Sequence, residues 1–266
     1  MEELLNADRE KQIRAVCVVH NETATGVTSD ISSIRKAVDR TDHPALFMVD
    51  TISSLASMDY RHDEWKVDVT VAGSQKGLML PPGLSFNAVS DKALEASEKA
   101  QLPRAYWNWQ EMLNANEQSV FPYTPATNLL YGLKEALILL KEEGLDQVFA
   151  RHRQLAEATR KAVQGWNLEM NALHSHEFSD SLTAVRMPEG HDADQFRKVV
   201  LEIFNVSLGN GLGKIQGKVF RIGHLGDFNA PMLLGTLGAI EMGLELTRVP
   251  CKPEGVRAAM DELVKN

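Results

Sequence analysis

The stretch VDVTVAGSQKGLMLPPG, residues 67–83, decides how the chain is read. It opens as an apolar run rich in β-branched residues, which predicts a buried strand over 67–73. It closes on Pro81-Pro82-Gly83, a rigid turn. Between strand and turn sits Ser74-Gln75-Lys76-Gly77. A turn lysine is ordinarily a solvated side chain. The carboxyl end of a buried strand is also where an open α/β sheet places its ligands.

Other strands surround this one. AVCVV (15–19), ALFMVD (45–50) and LSFNAVS (84–90) each read as buried strands. Between the first two, Ile31, Ile34 and Val38 recur at helical spacing, with Ser29 or Asp30 as N-cap and His43-Pro44 as the stop. Strand, helix, strand with continuous apolar strands predicts an α/β fold, a mostly parallel sheet covered on both faces. Residues 1–14 read as a charged, helical lead-in. A polar helix is expected from Lys92 to Ala100, an aromatic-rich segment over 103–113, and long helices over 128–143 and 146–165, with Gly144 between them.

Further on the pattern changes. A strand (182–188), an amphipathic helix (193–204), a glycine-rich loop SLGNGLGKIQGK (207–218), a strand VFRIGHLG (219–226) and a helix (231–246) capped by Asn229 predict a small α+β domain. The division expected is a large cofactor-binding domain over 1–145 and a small C-terminal domain over 146–266.

Composition sets bounds. The 266 residues are 44% hydrophobic and 24% charged, which allows a core of normal size. A net charge of −8 argues against nucleic acid as the main partner. No apolar run approaches the roughly 20 residues of a membrane span. Cys17 and Cys251 form neither a metal-ligand pair nor a disulfide framework. A reducing, cytoplasmic location is the expectation.

The residues after the strands carry the chemistry. The turn His20-Asn21-Glu22-Thr23-Ala24-Thr25-Gly26 follows the first, Asp50 ends the second, and Ser74-Gln75-Lys76 follows the third. A pyridoxal-phosphate enzyme needs a lysine to hold the aldehyde as a Schiff base. It needs a carboxylate against the pyridinium nitrogen, and donors for the phosphate. Singly, each residue has an ordinary explanation: Asp50 caps a turn, and Thr23 and Gly26 make one. Together, at successive strand ends, they point to a site.

The runs HNETATG, VDTISS and AGSQKGLMLPPGLSF resemble the class V aminotransferases of fold type I, in particular the serine–glyoxylate and alanine–glyoxylate enzymes. PRAYWNWQEM, FPYTPATNLLYGLKEAL and GLGKIQGKVFRIGHLG resemble the same group. The resemblance implies pyridoxal 5'-phosphate on Lys76, Asp50 at the pyridinium nitrogen and Thr23 near the ring oxygen. It implies Ser74 and Gln75 at the cofactor, with Tyr123 and Thr124 reaching the phosphate of a neighbouring subunit in a homodimer. Arg221 would grip the substrate carboxylate. The reaction implied moves an amino group from a small amino acid, serine or alanine, to glyoxylate or a similar 2-oxo acid.

Such enzymes carry a longer N-terminal part, with a glycine-rich phosphate turn and a ring-stacking aromatic. Neither is found upstream of Lys76, so the chain reads as the C-terminal two thirds of an aminotransferase. Two alternatives stand beside transamination. One is a shortened chain with impaired catalysis. The other is a class V relative such as a cysteine desulfurase, for which Cys251 is the poor candidate available.

Overall fold

The computed structural model describes residues 1–265. The elements run α1 (Glu2–Ala7), β1 (Ala15–Val19), β2 (Asn21–Glu22), β3 (Val27–Thr28), α2 (Ile31–Asp39), β4 (Leu46–Asp50), β5 (Val69–Gly73), β6 (Ser85–Val89), α3 (Asp91–Glu98), α4 (Trp109–Glu117) and α5 (Thr127–Glu143). They continue α6 (Leu145–Gly165), β7 (Glu169–Met170), β8 (Leu182–Arg186), α7 (Ala193–Phe204), β9 (Gly209–Asn210), β10 (Val219–Gly223), α8 (Ala230–Leu246) and α9 (Gly255–Leu263). The fold is α/β. The chain divides into two compact units: Met1–His20, Asp30–Ile52 and Tyr60–Ile138 form the first, and Asn21–Ser29, Ser53–Asp59 and Leu139 onward the second.

The first unit holds a sheet in the order β1-β4-β5-β6. β1, β4 and β5 are parallel, and β6 is antiparallel to β5. Helix α2 is the crossover between β1 and β4. Asp30 caps it, its carboxylate accepting from Ser33 N–H at 2.9 Å. The helix buries Ile31 beside Phe47, Val49 and Val67, each full burial contributing about 1.5–3 kcal/mol.

Three expectations change here. β1 is an edge strand, half-exposed with Cys17 facing out, because no described strand pairs with its outer side. β6 is the opposite edge and is also largely exposed, since its polar Ser85 and Asn87 alternate with apolar residues. The lead-in is helical only over Glu2–Ala7, because the Asp8 carboxylate then accepts from Gln12 and Ile13 N–H and folds the chain back.

The second unit is built on an antiparallel sheet, β7-β8-β10-β9, and the hairpin β2-β3. Helices α6 and α7 pack on this sheet, and α8 and α9 pack on those helices. Trp166, Phe196, Phe220, Leu233, Leu237, Ile240 and Leu244 are fully or almost fully buried in one cluster. Trp166 Nε1 donates to Glu241 at 2.8 Å, and that carboxylate also accepts from Val256 N–H at 3.0 Å, which fastens the start of α9.

Candidate active site

Asp50 and Lys76 lie at or just beyond the carboxyl ends of β4 and β5, the two central strands of the first unit's sheet. Asp50 ends β4 and lies opposite Val71 of the parallel β5, so the residues just beyond each strand emerge on the same side. Asp50 is exposed, and its Oδ1 accepts from Ile52 N–H at 2.8 Å. Its Oδ2 has no hydrogen-bond partner among the described residues. Thr51 donates both its N–H and its hydroxyl to Val71 O, at 2.8 and 3.0 Å, so the backbone after Asp50 is tied to β5.

Lys76 is half-buried, and its ammonium makes no hydrogen bond or ion pair among the described residues. Gln75 is exposed beside it. Ser74 differs. It is fully buried, its hydroxyl donates to Pro81 O at 2.8 Å, and it accepts from Leu84 N–H at 3.2 Å. The hydroxyl proton is engaged inside the loop, so Ser74 has no donor left for the cofactor contact expected of it.

Tyr123 lies in a surface loop of the same unit. Its hydroxyl accepts from Tyr106 N–H at 3.2 Å and donates to the Glu111 carboxylate at 3.3 Å. That carboxylate is a poor neighbour for a phosphate. Thr124 is exposed.

Thr23 and Arg221 meet in the second unit. The Thr23 hydroxyl donates to Ser53 Oγ at 2.8 Å, and Ser53 donates to Asn21 O at 2.7 Å. Arg221 lies on β10 opposite Gly209 of β9. Its Nε donates to Asn210 O at 2.7 Å and its Nη1 to Thr23 O at 2.6 Å. A guanidinium has five N–H donors in one plane. Two are anchored on carbonyls, and the Nη2 edge remains for a planar anion. A Cβ at Gly209 would stand 3.0 Å from Arg221 Nε, so only glycine lets the guanidinium lie in this place undisturbed. Burial, and then the Arg197 charge, lower the Arg221 pKa, while Glu22 opposes them; the group stays charged.

The turn after Arg221's strand is fastened by groups that sequence pattern does not reveal. The His224 ring is fully buried. Its Nδ1–H donates to Asp180 O at 3.1 Å and its Nε2 accepts from the Thr183 hydroxyl at 3.0 Å. A carbonyl can only accept, so this tautomer follows. Burial, reinforced by the Arg160 charge, pushes its pKa down to about 3. His152 accepts from Gly226 N–H at 3.0 Å, and Arg151 donates to Gly226 O and Phe228 O at 2.8 and 3.2 Å. Thr23 contributes a backbone carbonyl to Arg221, while the proton of its hydroxyl is engaged by Ser53. Carbonyl roles leave no mark in residue types.

Cys251, the desulfurase candidate, is part-buried. Burial and the neighbouring Glu241 and Glu245 push its thiol pKa up, the wrong direction for a nucleophile.

A family model of class-V aminotransferases matches residues 1–212. The chain belongs to this family. A serine–glyoxylate aminotransferase from Methylorubrum extorquens is 50% identical over the whole chain and 68% of its own length. An L-aspartate–glyoxylate aminotransferase from Paracoccus denitrificans is 46% identical over 98% of this chain and 66% of that protein. Among solved structures, a pyridoxamine–pyruvate aminotransferase from Mesorhizobium loti superposes with a TM-score of 0.91 at 30% identity, covering 98% of this chain and 67% of that one. The class V chain thus spans about two thirds of the length of the relatives it matches. The family is one of pyridoxal-phosphate enzymes. The first unit agrees with that group: among the described residues the Lys76 amine is unpaired, for the aldehyde, and one Asp50 carboxylate oxygen is without a partner, for the ring nitrogen.

Proposed function

We propose that the protein transfers an amino group from a small amino acid, such as serine, alanine or aspartate, to glyoxylate or a similar 2-oxo acid. One observation carries this reading. The Lys76 amine has no partner among the described residues, and Lys76 lies in the loop after β5, the strand paired in parallel with the one that Asp50 ends. An ordinary structural lysine at such a place would be paired or fully solvated.

Pyridoxal phosphate, when bound, supplies the aldehyde that condenses with amines and the cationic ring that withdraws electrons from the substrate α-carbon. The chain's residues do the rest. With the group bound, Asp50 would hold the ring nitrogen protonated through its free oxygen, and the Lys76 amine would hold the aldehyde. Lys76 would then take the proton from the substrate α-carbon as a general base and deliver it, as an acid, to the former aldehyde carbon. Arg221 would offer its remaining N–H groups, those of Nη2 among them, to the substrate carboxylate, while Asn210 O holds its Nε and Thr23 O its Nη1. Gln75 is the remaining candidate for the phosphate near Lys76, since the Ser74 hydroxyl is engaged.

The homologues named for glyoxylate support the acceptor class. The test is direct: purified protein with pyridoxal phosphate, glyoxylate and each amino acid, followed by glycine formation. Glycine from at least one donor is expected, and no glycine with any donor overturns the reading.

A homodimer is part of the proposal. Leu102, Trp107 and Tyr131, all in the first unit, are 83%, 85% and 76% exposed, side chains that a second copy would cover. A mass from light scattering should be twice that of the chain; the single-chain mass would contradict it. The free thiols Cys17 and Cys251 support a reducing compartment such as the cytoplasm. No helix of the described residues is long and apolar enough to cross a membrane.

A further inference from the structure

We propose that Ser74 is a positioning residue for Lys76, acting through the loop and not through contact with the cofactor. The proposal rests on the reading of Lys76 as the aldehyde-binding lysine.

The argument starts from backbone hydrogen-bond accounting. The β5–β6 ladder pairs Gly73 with Ser85, so Ser74 and Leu84 are the next pair outward. Ser74 N–H donates to Leu84 O at 3.1 Å, as a ladder requires. The reciprocal bond would run from Leu84 N–H to Ser74 O. That carbonyl is taken: it accepts from Leu80 N–H at 3.1 Å, which pulls Leu78–Leu80 back under the strand end. Leu84 N–H donates instead to the Ser74 hydroxyl at 3.2 Å. The same hydroxyl donates to Pro81 O at 2.8 Å. Neither Pro81 nor Pro82 has an N–H, so the prolines cannot close the hairpin themselves.

Ser74 therefore makes four bonds to three residues of the loop. Lys76 lies within the ring so closed, in a turn where Met79 N–H donates to Lys76 O at 2.9 Å. Its backbone is held at both sides while its amine has no partner among the described residues. An alanine at 74 would free Pro81 O and Leu84 N–H and loosen the base of the loop, and a loose loop gives its lysine a lower effective concentration at the site.

The experiment uses Schiff-base absorbance with two aldehydes, pyridoxal 5'-phosphate and pyridoxal, on the wild type, Ser74→Ala and Lys76→Ala. A positioning role lowers the association constant in Ser74→Ala about tenfold for both aldehydes alike. A drop confined to the phosphorylated aldehyde would mean that Ser74 touches the phosphate, and it overturns the proposal. So does an unchanged constant for both. A band that persists in Lys76→Ala refutes the reading of Lys76 itself, which keeps the two failures distinct. Hydrogen exchange on the wild type supplies a check that needs no variant to fold. The Leu80 and Leu84 amides should be among the slowly exchanging ones of the first unit, and free exchange at both would contradict the clasp.

Discussion

Residues 74–84 hold Lys76 and residues 207–221 hold Arg221, and the chain treats these two cations in opposite ways. The Lys76 loop is clasped at its base by Ser74, while the amine itself is unbonded. In the other segment Arg221 is the bonded group, pinned by Asn210 O and Thr23 O. The strand beside it is braced too, since Arg197 Nε donates to Leu208 O at 2.8 Å. The difference follows from the work proposed for each. A lysine that must form and break a covalent bond needs a fixed backbone and a free tip. An arginine that must orient a planar carboxylate needs a fixed tip.

The largest effect should come from removing the free tip. Lys76→Ala is expected to abolish the Schiff-base band and reduce amino transfer to background, read by absorbance and by glycine formation. Next is the pinned tip. Arg221→Lys keeps a charge but loses the planar fork and both anchors. A loss of roughly 2–3 kcal/mol, about 30- to 150-fold in kcat/KM, is expected. The loss should lie mainly in KM, because a positioned carboxylate contact is shared by ground and transition states. An unchanged KM would break the comparison.

Acid should separate the regions further. His224 is neutral in the folded protein and protonates at about pH 3, against an ordinary value of 6.5. The folded value lies below the unfolded one, so the unfolded chain binds the extra proton between them. Stability is fully present above about pH 6.5 and falls as the pH drops toward 3. Each pH unit is worth at most about 1.4 kcal/mol in that window. Denaturant midpoints measured from pH 7 to 4 should fall in the wild type, and less steeply in a folded His224→Gln variant. Parallel falls would show that another group governs the acid limb.

The smallest effect belongs to Gly209→Ala. The new methyl would stand 3.0 Å from Arg221 Nε and must displace it by a few tenths of an ångström. A severalfold rise in KM with little change in kcat is expected from steady-state kinetics. A change in kcat alone would show that Gly209 serves something other than Arg221.

The legible parts of the molecule were those written in residue types. Strand ends at Asp50 and Gly73 followed from apolar runs, and caps at Asp30 and Asn229 from their side chains. Lys76 and Arg221 stood out in GSQK and FRIG. What stayed hidden was backbone: the carbonyls that anchor Arg221, the diverted Ser74 carbonyl, and the chain reversal at Asp8. The glycine-rich segment is instructive. Gly209 makes room for Arg221, and a Cβ at Gly211 would meet Ile215 O at 2.1 Å. Glycine marks a close approach without saying of what. Burial was misjudged at β1 and β6 for a related reason: an apolar run does not tell an edge strand from a central one.

The central claim is that one lysine reacts. The direct measurement is borohydride reduction of the protein with pyridoxal phosphate, followed by peptide mass spectrometry. The account predicts a single pyridoxyl group, on the peptide containing Lys76. Label on other lysines with Lys76 unmodified, or no label at all, would contradict it.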